Sequence, residues 1–383
     1  MIVEIKGVQF VNKGAELMLH AVLQQMKQLY PDAELALLPG PNSPYKKRAL
    51  LGALQIAPLQ FYRADLNWLV ACLPSFVRRK LRQWFGIVFQ CDIDVVLDAS
   101  GFAYGDRWGR FGVKFLAANT RRVRQNQGHY VLLPQAFGPF TASSDQAKLR
   151  QAVANSTLVF ARDAESFNYL KDAGCDENKL RQAPDFTNLL HSSALPDERA
   201  KQFFALLIPN YQMIKGKTAI EVQQYKQLMA RYVKLCREKD WPVLILNHEG
   251  DIDQALCVEL KQQFQQDEMV SVLQPDDPLT VKAWIGHAGL VFSSRFHGCV
   301  SALSQGVPCI GTSWSHKYQH LYADYACTEW LVGLDSSEEV LEKLFTQCSS
   351  DELKNSLQQH SAKLQQLAAN MWLEVADKTS VRA

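Results

Sequence analysis

The sequence predicts an α/β protein built from two Rossmann-like, doubly wound domains, and three observations carry that prediction. First, 383 residues exceed what one hydrophobic core usually fills, so two domains of under two hundred residues each are expected. Second, short β-rich runs alternate with helical patterns along the chain, the grammar of parallel sheets with helices on both faces. Third, the polar and glycine-bearing stretches that invite a functional reading fall just after β-rich runs, where open parallel sheets bind ligands.

The elements follow in order. "IVEIKGVQF" (2–10) reads as a strand, and after "VNKG" a helix carries Leu17, Met18, Ala21 and Val22 at helical spacing. "AELALL" (33–38) is a second strand, with a Pro-rich loop at 39–47. "DIDVVLDAS" (92–100), "HYVLLPQAFGP" (129–139) and "TLVFARD" (157–163) are buried strands, the last two separated by a helix at 143–155. In the second half, "FFALLIPN" (203–210), "WPVLILNHEG" (241–250), "MVSVL", "GLVFSS" and "VPCIGTS" read as strands, with a helix at 219–239. A long helix is expected over 351–377, with Leu353, Leu357, His360, Leu364, Leu367 and Met371 on one buried seam. The polar stretch at 189–202 carries a proline and suggests the boundary. The expected domains are therefore 1–195 and 196–350, with 351–383 packing across them, and the two facing sheets would leave a cleft between their carboxyl ends.

Composition removes several classes of function. Hydrophobic residues at 47% and charged residues at 21% describe an ordinary globular chain. A net charge of +2 with a pI near 8.0 gives no case for nucleic acid, so any anion site must be local. The nine cysteines are scattered, with no CxxC pair and no Cys/His cluster at metal spacing. With no leader-like N-terminal pattern, they point to reduced thiols in the cytoplasm. No stretch reaches the roughly 18 uninterrupted apolar residues of a membrane span. One segment does suggest a membrane surface: "LNWLVACLPSFVRRKLRQWFGIVF" (66–89) joins Trp and large apolar residues to Arg78, Arg79, Lys80 and Arg82. A loop and helix capping the first sheet would show the same composition.

The sharpest motif is "SSRFHG". A strand ending at Ser293 or Ser294 puts Arg295 and His297 on the first turn of a helix, where free N–H groups and the positive dipole end attract an anion. Arginine offers a fork that fits a carboxylate or phosphate, histidine exchanges a proton near neutral pH, and Ser293 or Ser294 could cap the helix. A helix start with a solvated arginine and a packed histidine would look the same. "NKGAE" (12–16) places Lys13 over a helix N-terminus after Gly14 turns the backbone; it is neither a Walker loop nor GxGxxG. Gln135, past a strand end, could bond a sugar or a carboxylate, and the small-residue loop at Ser100 and Gly101 would admit a ligand to the backbone. Arg162 and Asp163 stand at a helix start, either as an anion site or as a paired arginine and a cap. His248, Glu249, Asp251 and Asp253 form a polar strand tip facing the expected cleft, without the partners a metal site needs. A GxSxG elbow is absent, and Cys299 and Cys309 sit in apolar contexts.

"SSRFHGCVSALSQGVPCIG" (293–311) resembles the [S/T]-R-x-H-G…A-x-x-x-G-x-P hallmark of the polysaccharide pyruvyl transferase family. "NKGAELML" is similar to that family's opening, "DVVLDASGF" to its strand and glycine loop, "LPQAFGPF" to its G-Q-x-x-G-P segment, and "ARDAESFNYLKDAG" with "APD" (183–185) to its R-D-x-x-S run. Ala15 stands where the family often has an acid, and the glycine loop is reduced to Ala99, Ser100 and Gly101. The resemblance implies a two-domain GT-B-like fold and transfer of the pyruvyl group of phosphoenolpyruvate to two sugar hydroxyls, with phosphate released and no metal or other cofactor. It implies catalytic roles for His297 and Arg295. Ser294, Arg162, Lys317, Lys13 and Gly14 would bind the donor's anions, and Gln135, Ser100, Gly101, His248 and Glu249 the acceptor. The expected partners are phosphoenolpyruvate, a saccharide acceptor of a surface polysaccharide (free or lipid-linked) and the inner membrane face. A nucleotide-sugar glycosyltransferase on the same frame and a non-catalytic glycan binder are the competing classes.

Overall fold

The computed structural model describes residues 1–59, 66–191, 195–313, 315 and 317–380. The first sheet is assembled from β1 (Ile2–Lys6), α1 (Lys13–Leu29), β2 (Glu34–Leu37), α2 (Tyr45–Leu50), β3 (Leu54–Ile56), α3 (Asn67–Ala71), α4 (Ser75–Phe85), β4 (Ile87–Val88), β5 (Val95–Asp98), α5 (Arg110–Gln125), β6 (His129–Gln135), α6 (Ser143–Asn155), β7 (Leu158–Ala161), α7 (Ala164–Asp172) and β8 (Leu180–Gln182). Its eight strands are all parallel, in the order β4-β3-β2-β1-β5-β6-β7-β8. The second sheet follows from β9 (Ala205–Ile208), α8 (Ala219–Glu238), β10 (Val243–Leu246), α9 (Gly250–Gln262), β11 (Val270–Leu273), α10 (Pro278–His287), β12 (Leu290–Ser293), α11 (Phe296–Leu303) and β13 (Cys309–Gly311), then α12 (Lys317–Asp324), α13 (Glu338–Gln347) and α14 (Asp351–Thr379). Its five parallel strands run β11-β10-β9-β12-β13. This is the two-domain Rossmann-like architecture expected from the alternation.

The central strands show why the sequence reads as apolar runs rather than as alternation. All four residues of β5, β7, β9, β10 and β12 are buried, because helices cover both faces of each sheet. In the second sheet Leu206, Leu207, Ile245, Val291 and Phe292 pack with Leu228 and Tyr232 of α8 and with Val300 and Leu303 of α11. Each such side chain contributes roughly 1.5–3 kcal/mol by leaving water. Strand order reverses between β1 and β5 in the first sheet and between β9 and β12 in the second. Those two switch points are where the strand ends diverge and leave room for a ligand.

Contacts divide the chain into one unit of residues 1–10, 18–186 and 367–383 and another of 11–17 and 187–366. The division after Phe186 precedes the expected one at 195. Phe186, Thr187 and Asn188 are buried, and Asn188, already in the second unit, accepts a 3.4 Å hydrogen bond from Tyr325 of the same unit. The expected boundary stretch includes 192–194, and the expected C-terminal segment includes 381–383, which lie outside the described residues.

Several local expectations change. The loop expected to 47 ends at Pro44, the residue before α2, so Tyr45–Lys47 are helical. The segment 66–89 forms two short helices and a strand rather than one interfacial helix; the side chains of Trp68 and Ala71 lie outside the described residues. In α14 the seam holds at Leu357, Leu364 and Met371, but Leu367 is exposed and Ala368, Trp372 and Val375 are buried in its place. The stripe drifts because 3.6 residues per turn does not match the 3.5-residue average of the expected four-and-three spacing. His360 is half-buried, its Nδ1 2.8 Å from the Ser356 carbonyl of its own helix. None of the nine cysteines is in a disulfide.

Candidate active site

At the β9/β12 switch point β12 stops at Ser293, and Arg295 is the N-cap of α11. Ser293 Oγ accepts from the Arg295 N–H at 3.1 Å and donates to the Arg295 carbonyl at 3.0 Å, so it fixes the turn. Ser294, expected as a cap or an anion contact, does not cap the helix. Its buried Oγ lies 2.8 Å from the Tyr225 hydroxyl, and its carbonyl accepts from Asn210 Nδ2 at 2.8 Å and Tyr318 Oη at 2.7 Å. Asn210 follows β9, so this bond ties the two strand ends together. Gly298 is needed because a Cβ there would come within 2.5 Å of Ser293 Oγ.

Arg295 does not stand open to solvent. Its Nε donates to Asp253 Oδ2 at 2.8 Å, its Nη2 donates to the same oxygen, and its Nη1 donates to Glu249 Oε2. The two carboxylates differ: Asp253 is 1% exposed and Glu249 is 29% exposed. Asp253 is held further by the Tyr211 N–H at 3.0 Å, and burial pushes its carboxyl above the ordinary 3.8, against the pull of Arg295. Asp253 is thus the buried, fixed partner of Arg295, and Glu249 the more exposed one.

The start of α1 completes the cluster. Asn12 Oδ1 accepts from the N–H groups of Gly14 (2.8 Å) and Ala15 (3.3 Å), which makes Asn12 the helix cap, and its Nδ2 donates to Glu249 Oε1 at 2.9 Å. Gly14 lies inside the helix rather than in a tight turn. Its need for glycine comes from His297, whose imidazole would collide with a Cβ at position 14. Lys13 pairs with Glu16 at 3.1 Å and donates to the Asp276 carbonyl. Lys317 also joins, with Nζ 4.7 Å from the ring centre of Phe296, the residue beside His297.

His248, expected on the acceptor side, is a buried member of this same cluster. It is 4% exposed, and its Nδ1 has no hydrogen-bond partner among the described residues. Burial, then the charges of Arg295, His297 and Lys13, holds its imidazole well below the ordinary 6.5. Glu249 likewise belongs with Arg295.

The candidates of the first unit are more structural than expected. Arg162 and Asp185 form a buried ion pair at 3.0 Å, and Asp163 caps α7 by accepting the Ser166 N–H at 2.7 Å. Gln135 has no exposed surface; its Nε2 lies 3.4 Å from the Asp98 carbonyl, and its Oε1 has no hydrogen-bond partner among the described residues. Ser100 donates its N–H (3.1 Å) and hydroxyl to Asp98, which also accepts from Tyr104 and Tyr130 at 2.7 Å each. Gly101 follows at φ 71°, in the left-handed region.

Sequence reasoning did not single out Asn12, Asn210 or Tyr225. Asn12, directly before a helical run, carried a readable capping signal. Asn210 and Tyr225 had none, because their roles rest on contacts 84 and 69 residues away.

Comparison with known proteins bears on the family and the fold. The sequence model of polysaccharide pyruvyl transferases matches residues 12–316. No curated protein matches the chain. Among solved structures, the chain is similar to the Neisseria meningitidis UDP-GlcNAc 2-epimerase bound to UDP-GlcNAc (12% identity, TM-score 0.58, covering 98% of this chain and 99% of that one). It is also similar to the Methanocaldococcus jannaschii UDP-GlcNAc 2-epimerase (12%, 0.57, 92% and 94%) and to Anabaena Alr3699/HepE in complex with UDP and glucose (13%, 0.55, 99% and 99%). At these identities the likeness is one of fold, the two-domain Rossmann-like type.

Proposed function

The chain belongs to the polysaccharide pyruvyl transferase family, a family of transferases, and from that premise we propose that it moves the pyruvyl group of phosphoenolpyruvate onto a saccharide. The product is a ketal on two hydroxyls of a surface-polysaccharide unit or its lipid-linked precursor, formed on the cytoplasmic side. The observation that carries this reading is the clustering of Arg295, His297, Lys13 and Lys317 around two helix starts. Phosphoenolpyruvate brings a carboxylate and a phosphate, and such a donor calls for several cations and N–H donors in one place.

In this mechanism the donor's anion displaces the half-exposed Glu249 from Arg295 Nη1 while Asp253 keeps the guanidinium in place. His297 protonates the methylene carbon, turning C2 into an electrophile. Two sugar hydroxyls form the two new C–O bonds as the ester C–O bond to phosphate breaks. Of the two hydroxyl protons, one restores the acid and the other leaves with phosphate. The Ser100–Gly101 loop is our candidate for acceptor contact. We expect turnover to survive a chelator, because Asp253 stays engaged by Arg295 and no group of three or more His, Cys, Asp or Glu among the described residues is placed to hold a metal ion.

Incubation with phosphoenolpyruvate and a panel of saccharides tests this, read as released phosphate and a ketal methyl signal by NMR. Phosphoenolpyruvate should also raise the melting temperature more than nucleotide sugars do at equal concentration, because a ligand of the folded state stabilises by mass action. A shift with a nucleotide sugar and none with phosphoenolpyruvate would select the competing reading, a glycosyltransferase on the same fold.

A further inference from the structure

Helix α4 is the part of the molecule that the transfer reaction leaves unexplained. None of its residues is buried. Its inner side is fixed by ion pairs: Arg78 holds Asp92 at 2.6 Å and Arg82 holds Glu34 at 3.4 Å. Its outer side carries Phe76, Arg79, Lys80 and Trp84, at helical spacing of three to four residues, with Phe85 beside them. Phe76, Trp84 and Phe85 are 64%, 69% and 62% exposed. Lys80 Nζ lies 5.3 Å from the Trp84 ring centre, and Trp84 meets Phe85 edge to face at 6.5 Å.

Exposed rings at this density are unusual on a free surface and call for an occupant. The charge decides which. From residue 66 to residue 91 the sequence holds no Asp or Glu. The two arginines that are paired reach outside that stretch for their partners, so Arg79 and Lys80 face outward among the aromatic rings with no acid of that stretch beside them. Helix α2, which joins β2 to β3 at the same sheet edge, repeats the composition: Tyr45, Lys46, Lys47 and Leu50 are exposed, and it too lacks an acid. Protein interfaces are depleted in lysine, whereas Trp and Phe interleaved with Lys and Arg suit the headgroup level of an anionic bilayer. At 11 residues α4 is far too short to span, and no helix among the described residues is long and apolar enough to cross a membrane.

We propose that the outer face of α4, supported by α2, seats the protein on an anionic phospholipid surface. The rings of Phe76, Trp84 and Phe85 enter the headgroup region, and Arg79 and Lys80 meet lipid phosphates. The proposal does not depend on the identity of the donor or of the sugar acceptor.

The full chain should co-sediment with vesicles of phosphatidylcholine plus phosphatidylglycerol at low salt, much less with phosphatidylcholine alone, and should be released as salt rises. Arg79→Gln with Lys80→Gln should lower vesicle affinity by roughly 30-fold, about a factor of five for each basic residue near an anionic surface. Trp84→Ser with Phe85→Ser should lower it even at low salt. Both pairs are exposed, so the melting temperature and phosphoenolpyruvate response should stay at parental values. Absence of parental binding to anionic vesicles, or unchanged binding by both double variants, would overturn the proposal. Binding to protein-containing membranes but not to pure lipid would also overturn it and assign the face to a membrane protein.

Discussion

Arg295 sits in a carboxylate clamp, and that decides what its replacement should do. Arg295→Lys keeps the charge but cannot serve Asp253 through two nitrogens while reaching Glu249, so Asp253 loses a donor in a buried place. Donor affinity should fall and the protein should lose on the order of 1–3 kcal/mol while remaining folded, read by calorimetric titration and thermal melting. His297→Ala should leave donor binding nearly intact and cut turnover roughly 100- to 10,000-fold. Turnover within a few-fold of the parent would make His297 a packing residue against Gly14. His248 offers a test in pH. Its folded-state value is below the unfolded 6.5, so the unfolded chain binds the extra proton first. The stability it contributes is fully present above pH 6.5 and is lost as pH falls through 6.5 toward the folded value, and His248→Gln should flatten that part of a pH–stability curve. At this scale the sequence showed the motif but not its partners. Arg295 and His297 are local and legible, whereas Asp253 and Glu249 lie 42 and 46 residues from Arg295 and Asn12 lies 237 residues from Glu249, distances no periodicity encodes.

Among the elements, those whose signal is local were readable. Helix α6 has the bounds its periodicity predicts, and the central strands were visible as apolar runs because both faces are covered. Helix α4 was harder, since its half-buried side mixes Val77 and Leu81 with Arg78 and Arg82, which pair with Asp92 and Glu34, while its aromatic residues stay exposed. Helix α7 shows how much a single terminal residue holds. Asp163 accepts the Ser166 N–H at 2.7 Å, and the Ser166 hydroxyl in turn lies 2.9 Å from the Phe137 N–H, so the cap also steadies the loop after β6. Asp163→Ala should cost about 1 kcal/mol by denaturant titration, the usual loss for an N-cap. Asp163→Asn, which can still accept, should recover most of it. Equal losses in both variants would mean that the charge, not the cap, is what α7 needs.

For the whole molecule, two sheets with separate hydrophobic clusters imply two cooperative units, and this can be measured. Leu207 of β9 is fully buried within the second cluster, and Val159 of β7 within the first. Leu207→Ala removes buried methyl groups from one core alone, a loss of about 2–5 kcal/mol set by how far the site collapses. Urea unfolding, followed by circular dichroism and hydrogen exchange of peptides from each sheet, should show the β9–β13 peptides exchanging at lower denaturant in this variant. Peptides from β5–β7 should keep their parental midpoint. Phosphoenolpyruvate should act in the opposite sense on the same peptides, because Lys13, Arg295, His297 and Lys317 all belong to the second unit, and a ligand stabilises the unit that binds it. Val159→Ala should destabilise the β5–β7 peptides and leave that ligand response in place. If Leu207→Ala instead lowers both sets of midpoints together, the two cores unfold as one. A donor built wholly on the second unit would then protect the first sheet as strongly as its own.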